Sequence, residues 1–243
     1  MKDDQPGSSF VEPAAPPLTA RVSLALAQLR WPDAVIHAAI ETLARCVPTE
    51  HSAWFVRALG MGNPGMDGVE SGALELWSTG GAWLQVSAEG TTHGSLHHPR
   101  QALETTETAH LGARAQALPS WLQEQTPTAI VRAPHLAMVH YDLPGDSARE
   151  CMQAANAVMR GGLDSPAAAA LSTCPADRVG IEFRSDRSVR LVVRSPPPRV
   201  TAWILGDGVS DTMEQVAFLL ATRGIHAIYV DSAGNASVSW RLA

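Results

Sequence analysis

His140-Tyr141-Asp142 places an imidazole and a carboxylate two residues apart in an apolar, strand-like run. Side chains on a strand repeat with period two, so both point to one face. That is how the first two ligands of a facial iron site are arranged. His226 is the sole histidine after them, which makes it the candidate third ligand, and Arg241 would then pair with a co-substrate carboxylate. The run Asp211–Arg223 reads as a helix just ahead of His226, where an oxygenase barrel needs strand. The metal site therefore stands as the alternative reading, and no cofactor is expected.

A second set of residues is basic. Residues 178–199 carry Arg178, Arg184, Arg187, Arg190, Arg194 and Arg199 against Glu182 and Asp186. Val179, Ile181 and Phe183 alternate with Gly180, Glu182 and Arg184, and Val189, Leu191 and Val193 alternate with Arg190, Val192 and Arg194. Such alternation describes a hairpin with one covered and one wet face. Arg184, Arg190 and Arg194 fall on the wet face, where guanidinium forks suit carboxylate or phosphate. A plain solvated sheet face is the competing reading.

Trp54, Trp77 and Trp83 lie on successive strand-like runs, and Trp77 and Trp83 flank the tight turn Thr79-Gly80-Gly81. They are expected to be neighbours across a hairpin. They form either a core pair or an aromatic floor for a peptide or planar ligand. His93, His97 and His98 cluster in what reads as a loop, with no cysteine or carboxylate close by to complete a metal site.

Composition narrows the chemistry. The chain has 243 residues and a formal net charge of −6, which gives no reason to expect nucleic acid or an anionic membrane as partner. Its one lysine is Lys2, so Schiff-base, P-loop and kinase-type lysine chemistry is excluded. Cys46, Cys151 and Cys174 are odd in number and widely spaced, as thiols of a reducing compartment are. No signal-peptide pattern or membrane-length apolar run is visible, so a cytoplasmic protein is expected. Motifs of the G-x-S-x-G, H-E-x-x-H and C-x-x-C kinds are absent.

The elements that must position these residues follow from periodicity. Helices are expected from Thr19 on either side of Trp31-Pro32, in parts of 99–125, over 147–160 and 164–174, and over Asp211–Arg223. The last carries the stripe Met213, Val216, Ala217 and Leu220. Strands are expected over 52–59, 73–78, 82–88, 128–132, 135–142, 179–184, 189–194, 200–205, 225–230 and from about 237 to 242. The order α-β-β-β-α-β-β then occurs twice. This predicts an α+β fold of two similar lobes, 19–143 and 144–243, each an antiparallel sheet with helices on one face, behind a disordered tail, 1–18.

That order resembles the unit of secretion-chaperone-like folds, which bind extended protein segments. The functional expectation is accordingly a non-catalytic protein-binding module, an adaptor, regulator or chaperone. Its partner would be another protein, such as an acidic segment, met by Arg184, Arg190, Arg194, Trp77 and Trp83. The alternative is a small-molecule enzyme without lysine chemistry, metal-dependent through His140, Asp142 and His226. The proline-rich tail lacks a periodic apolar face, so limited proteolysis should leave a stable fragment starting near Thr19; protection of residues 1–18 would show the segment docked.

Overall fold

The computed structural model describes residues 17–46, 52–59, 72–98, 124–143, 178–185, 189–198, 211–221, 223–231 and 235–242. Helix α1 (Leu18–Gln28) buries Val22, Ala25 and Leu26, with Leu29 buried one turn further on. Arg30 then takes a positive φ of 55°, the left-handed turn that commonly ends a helix. Trp31 is buried, and Pro32 leads into α2 (Asp33–Arg45), which buries Ala39 and Leu43.

Among the described residues ten strands follow: β1 (Trp54–Leu59), β2 (Ala73–Ser78), β3 (Ala82–Ser87), β4 (Gly90–His97), β5 (Ala129–Ala133), β6 (Leu136–Asp142), β7 (Arg178–Arg184), β8 (Val189–Arg194), β9 (Ile225–Asp231) and β10 (Ala236–Arg241). Helix α3 (Asp211–Leu220) lies between β8 and β9. Each strand pairs antiparallel with the next in sequence, and β10 pairs back onto β1, closing a barrel.

The expectation of two α+β lobes is thereby corrected. Strands from the two expected lobes pair directly, β6 with β7 and β1 with β10, so one closed barrel replaces two open sheets. Strand positions were largely readable, but period-two patterns carry no information on whether a sheet stays open. Strand β4 is not expected from the sequence, because Gly90-Thr-Thr-His-Gly-Ser-Leu-His97 has two glycines and a single large apolar residue, so no apolar alternation marks it. Pairing with β3 on one side and β5 on the other imposes its extended form. The expected helices over 99–123 and 147–174 and the strand over 200–205 lie outside the described residues, as does the tail up to residue 16.

The apolar faces of the strands turn outward, not inward. Val56, Leu74, Leu76, Leu84, Val139, Ile181, Leu191, Val193, Ile228 and Val238 join residues of α1, α2 and α3 in one continuous apolar cluster. The helices thus cover the outside of the barrel, and the core is the layer between them. Arg21 of α1 donates from Nη1 to the Leu220 carbonyl at 3.1 Å, tying α1 to the end of α3. Among the described residues no helix is long and apolar enough to cross a membrane.

The stripe expected on α3 is buried as read: Met213, Val216, Ala217 and Leu220 are each at most 2% exposed, whereas Leu219 is 63% exposed. Leu220→Ala should cost about 2–5 kcal/mol in urea unfolding. Leu219→Ala, on the solvent side of the same helix, should stay within about 0.5 kcal/mol.

Candidate active site

With apolar side chains facing the helices, the alternate residues of every strand face the lumen. On β1 these are Phe55 and Arg57; on β2, Glu75 and Trp77; on β7, Gly180, Glu182 and Arg184; on β8, Arg190, Val192 and Arg194. The register aligns them in layers. Phe55 stands opposite Trp77 and Trp77 opposite Trp83, while Arg57 stands opposite Glu75.

Arg57 reaches from β1 to both carboxylates of the interior. Its Nε donates to Glu75 Oε2 at 2.9 Å and its Nη2 contacts the same oxygen, while Nη1 donates to Glu182 Oε2 at 3.3 Å. Arg184 Nη1 donates to Glu75 Oε1 at 3.1 Å and lies 3.7 Å from Glu182. Arg190 lies 3.5 Å from Glu182. The Arg57 guanidinium also sits 4.0 Å from the Tyr229 ring centre, a cation–π contact.

Burial alone would raise the pKa of both glutamates, yet the surrounding arginines outweigh it. Glu182 is held at about 2, by Arg57, Arg190 and Arg184, and Glu75 is lowered by Arg57 and Arg184. Burial raises the Tyr229 phenol, against the pull of Arg57.

Above this charged floor lies a cavity of about 320 Å³. Phe55, Trp77, Trp83 and Tyr229 line it together with Val131, Met138 and Val192. Phe55 and Trp77 stack with centroids 5.6 Å apart. The mouth is at the barrel end where β1 begins, beside the exposed Thr79 and His98. Here the register between β9 and β10 shifts, so β9 carries one extra residue, His226. The bulge brings this side chain into the cavity wall, 4.4 Å from the Phe55 ring. Burial, then Arg194 and Arg241, push the His226 imidazole down to about 4, so it is neutral at pH 7.

His140, Asp142, Arg178 and Arg194 complete the mouth. Arg194 Nη2 lies 3.1 Å from His140 Nε2, and His140 Nε2 lies 3.6 Å from Asp142 Oδ1. Asp142 pairs with Arg178 at 2.8 Å and with Arg194 at 3.7 Å. The His140 contact, then Arg194 and Arg178, hold the Asp142 carboxyl below its ordinary range against its burial. Gly180 makes room for the imidazole: a Cβ there would fall 2.6 Å from both Cε1 and Nε2 of His140.

Several sequence expectations are thus relocated. His140 and Asp142 share a face, but two guanidiniums occupy the positions around the carboxylate where a cation would sit. Among the described residues no three histidine, cysteine or carboxylate side chains group to hold a metal ion. The alternation through Arg184, Arg190 and Arg194 is as read, but the face they share is the barrel interior: Arg184 is 7% exposed and paired to carboxylates. Trp77 and Trp83 are cross-strand partners and both line the cavity, whereas Trp54 faces the helix layer. His93 and His97 lie on β4, exposed, and not in a loop. Arg57 and Glu75 went unremarked in the sequence. Their signal was a lone charge inside each of two apolar strands, Phe-Val-Arg-Ala-Leu and Ala-Leu-Glu-Leu-Trp.

No family model matches the chain, and no curated protein matches it in sequence. Among solved structures the fold is similar to that of a 5-dimethylallyltryptophan synthase from Streptomyces coelicolor, with a TM-score of 0.57 and 9% identity, over 93% of this chain and 95% of that one. At that identity the likeness is one of fold. It corrects the expectation of a non-catalytic protein-binding module, which rested on two open sheets: the chain forms one closed barrel, similar in fold to that synthase.

The charged floor gives a direct test. The folded-state value of Glu182 lies below the ordinary 4.5, so its stabilisation is complete above about pH 4.5 and is lost as pH falls toward 2. Glu182→Gln should cost about 3–5 kcal/mol at pH 7, because Arg57 and Arg190 lose a buried partner. Urea unfolding from pH 7 to pH 3 should show a shallower acid limb in the variant. Equal slopes would place Glu182 outside the network.

Proposed function

We propose that this protein is an enzyme that holds a small aromatic molecule in the barrel lumen and transfers an allylic alkyl group onto its ring. The observation that carries the reading is the pairing, in one cavity, of an aromatic wall with an arginine-bearing mouth. The similarity of the barrel to that of 5-dimethylallyltryptophan synthase supports it. This is the sequence-based alternative of a small-molecule enzyme without lysine chemistry, with arginines in place of the missing lysine.

The chemistry asks three things of the chain. An allylic diphosphate ionises when its C–O bond breaks and the electron pair leaves with the anion. Arg194, with Arg178 beside it, is placed to neutralise that anion at the mouth. The allylic cation left behind needs π faces and exclusion of water, and Phe55, Trp77 and Tyr229 offer such faces. The acceptor ring then supplies the electron pair of the new C–C bond and gives up a proton. A cavity of about 320 Å³ is at the small end of ligand sites, fitting one bicyclic acceptor and a short donor. The scattered cysteines support a reducing, cytoplasmic setting.

The test is incubation of the purified protein with dimethylallyl diphosphate and a panel of indoles, tryptophan and naphthols, read by mass spectrometry for a five-carbon gain. Trp77→Ala should lower turnover at least tenfold without unfolding the barrel, since Trp77 is only partly buried. If no panel member quenches tryptophan fluorescence and none is alkylated, the reading is wrong.

A further inference from the structure

We infer that His140 is the proton acceptor of this site, and that Arg194 holds it in reserve until an anionic group draws the guanidinium away. The inference rests on the group-transfer reading, because that reaction yields both an anion and a ring proton.

His98 stands exposed at the rim of the mouth, and three other bases on the cavity wall are poorly suited. Glu75 and Glu182 are saturated by arginines and have lost proton affinity. His226 keeps little affinity above about pH 4. His140 lies in the same wall, and Gly180 lets its ring pack flat against β7.

A guanidinium has donors and no lone pair, so at 3.1 Å Arg194 donates and His140 Nε2 accepts. In this geometry the lone pair of Nε2 is engaged. Asp142 Oδ1 lies 3.6 Å from the same nitrogen and is buried without a hydrogen-bond partner. Nε2 thus stands between a donor that occupies its lone pair and an acceptor that would hydrogen-bond an N–H there. The charged groups around the ring are Asp142 on β6, Glu182 and Arg178 on β7, Arg194 on β8 and His226 on β9. On β5 the residue opposite is Ala129.

Phosphate oxygens are stronger acceptors for a guanidinium than a neutral imidazole is. An anion at the mouth therefore competes for Arg194 and frees Nε2. In the reaction, the C–O electron pair departs with the diphosphate, held on Arg194. The ring π pair makes the C–C bond, and the C–H pair then returns to the ring. The proton passes to Nε2 and stays there, and the new N–H hydrogen-bonds to Asp142 Oδ1, giving that buried oxygen its partner. Departure of the anion returns Arg194 to Nε2 and expels the proton through the mouth.

The experiment uses inorganic pyrophosphate and the full chain labelled with nitrogen-15 at histidine, following His140 against pH. In the wild type, saturating pyrophosphate should raise its protonation midpoint by one pH unit or more. Arg194→Gln should show the raised midpoint without pyrophosphate, and Asp142→Asn should abolish the rise. Both residues are partly exposed at the mouth, so the barrel is expected to tolerate each change. Failure of pyrophosphate to bind, an unmoved midpoint once it has bound, or an Arg194→Gln midpoint equal to the wild type would each overturn the inference. The readout needs neither an acceptor nor turnover, so it fails or stands separately from the group-transfer reading.

Discussion

Opposite walls of the barrel are tied together by Arg57, which bonds Glu75 on the adjacent strand and Glu182 across the lumen. Ten strands enclose more space than side chains alone fill, and an interior that wide collapses or floods unless something spans it. Charges span it here. Each is costly to bury alone and tolerable only with its partners, so the network fixes the relative positions of β1, β2, β7 and β8 at once. The apolar residues then have the outer face to themselves, and the helices follow them there.

The same tie divides the lumen by function. Below it, Arg57, Glu75, Glu182, Arg184 and Arg190 pair with one another across strands. Above it, aromatic rings and a looser set of ionic contacts surround the open volume. Polar groups in the upper part are incompletely matched: Nε2 of His140 has two suitors and Oδ1 of Asp142 has no hydrogen bond. The multiply paired charges below give rigidity, and the looser contacts above give the site something to do.

Much of this was legible locally and little of it globally. Alternation located the strands, and the α3 stripe, the Trp77–Trp83 pairing and the shared face of His140 and Asp142 followed from period and turn chemistry. The direction of each face was not legible. A row of arginines opposite valines and leucines reads as solvent-facing, since water is the usual place for charge. Inside a barrel the partners of those arginines come from distant strands: Glu75 lies 109 residues from Arg184. His226 was visible as a histidine but not as a cavity residue, because only a bulge turns it inward. Strand β4 had no apolar alternation to announce it.

Closure between β1 and β10 has a consequence for biosynthesis. The Leu242 amide donates to the Trp54 carbonyl at 2.7 Å, and Val56 pairs with Trp240, so the seam joins the start of the sheet to its end. On the ribosome, β1 emerges early and waits with one edge unpaired until the last strand follows. During that interval the nascent sheet offers two free edges, which are templates for pairing with other chains. Contacts so distant in sequence also make closure slow once β10 has been made. Any event that withholds β10, from a premature stop to proteolysis, leaves an aggregation-prone sheet and not a smaller barrel. Cells producing this protein thus have reason to shield it until its final strand is in place.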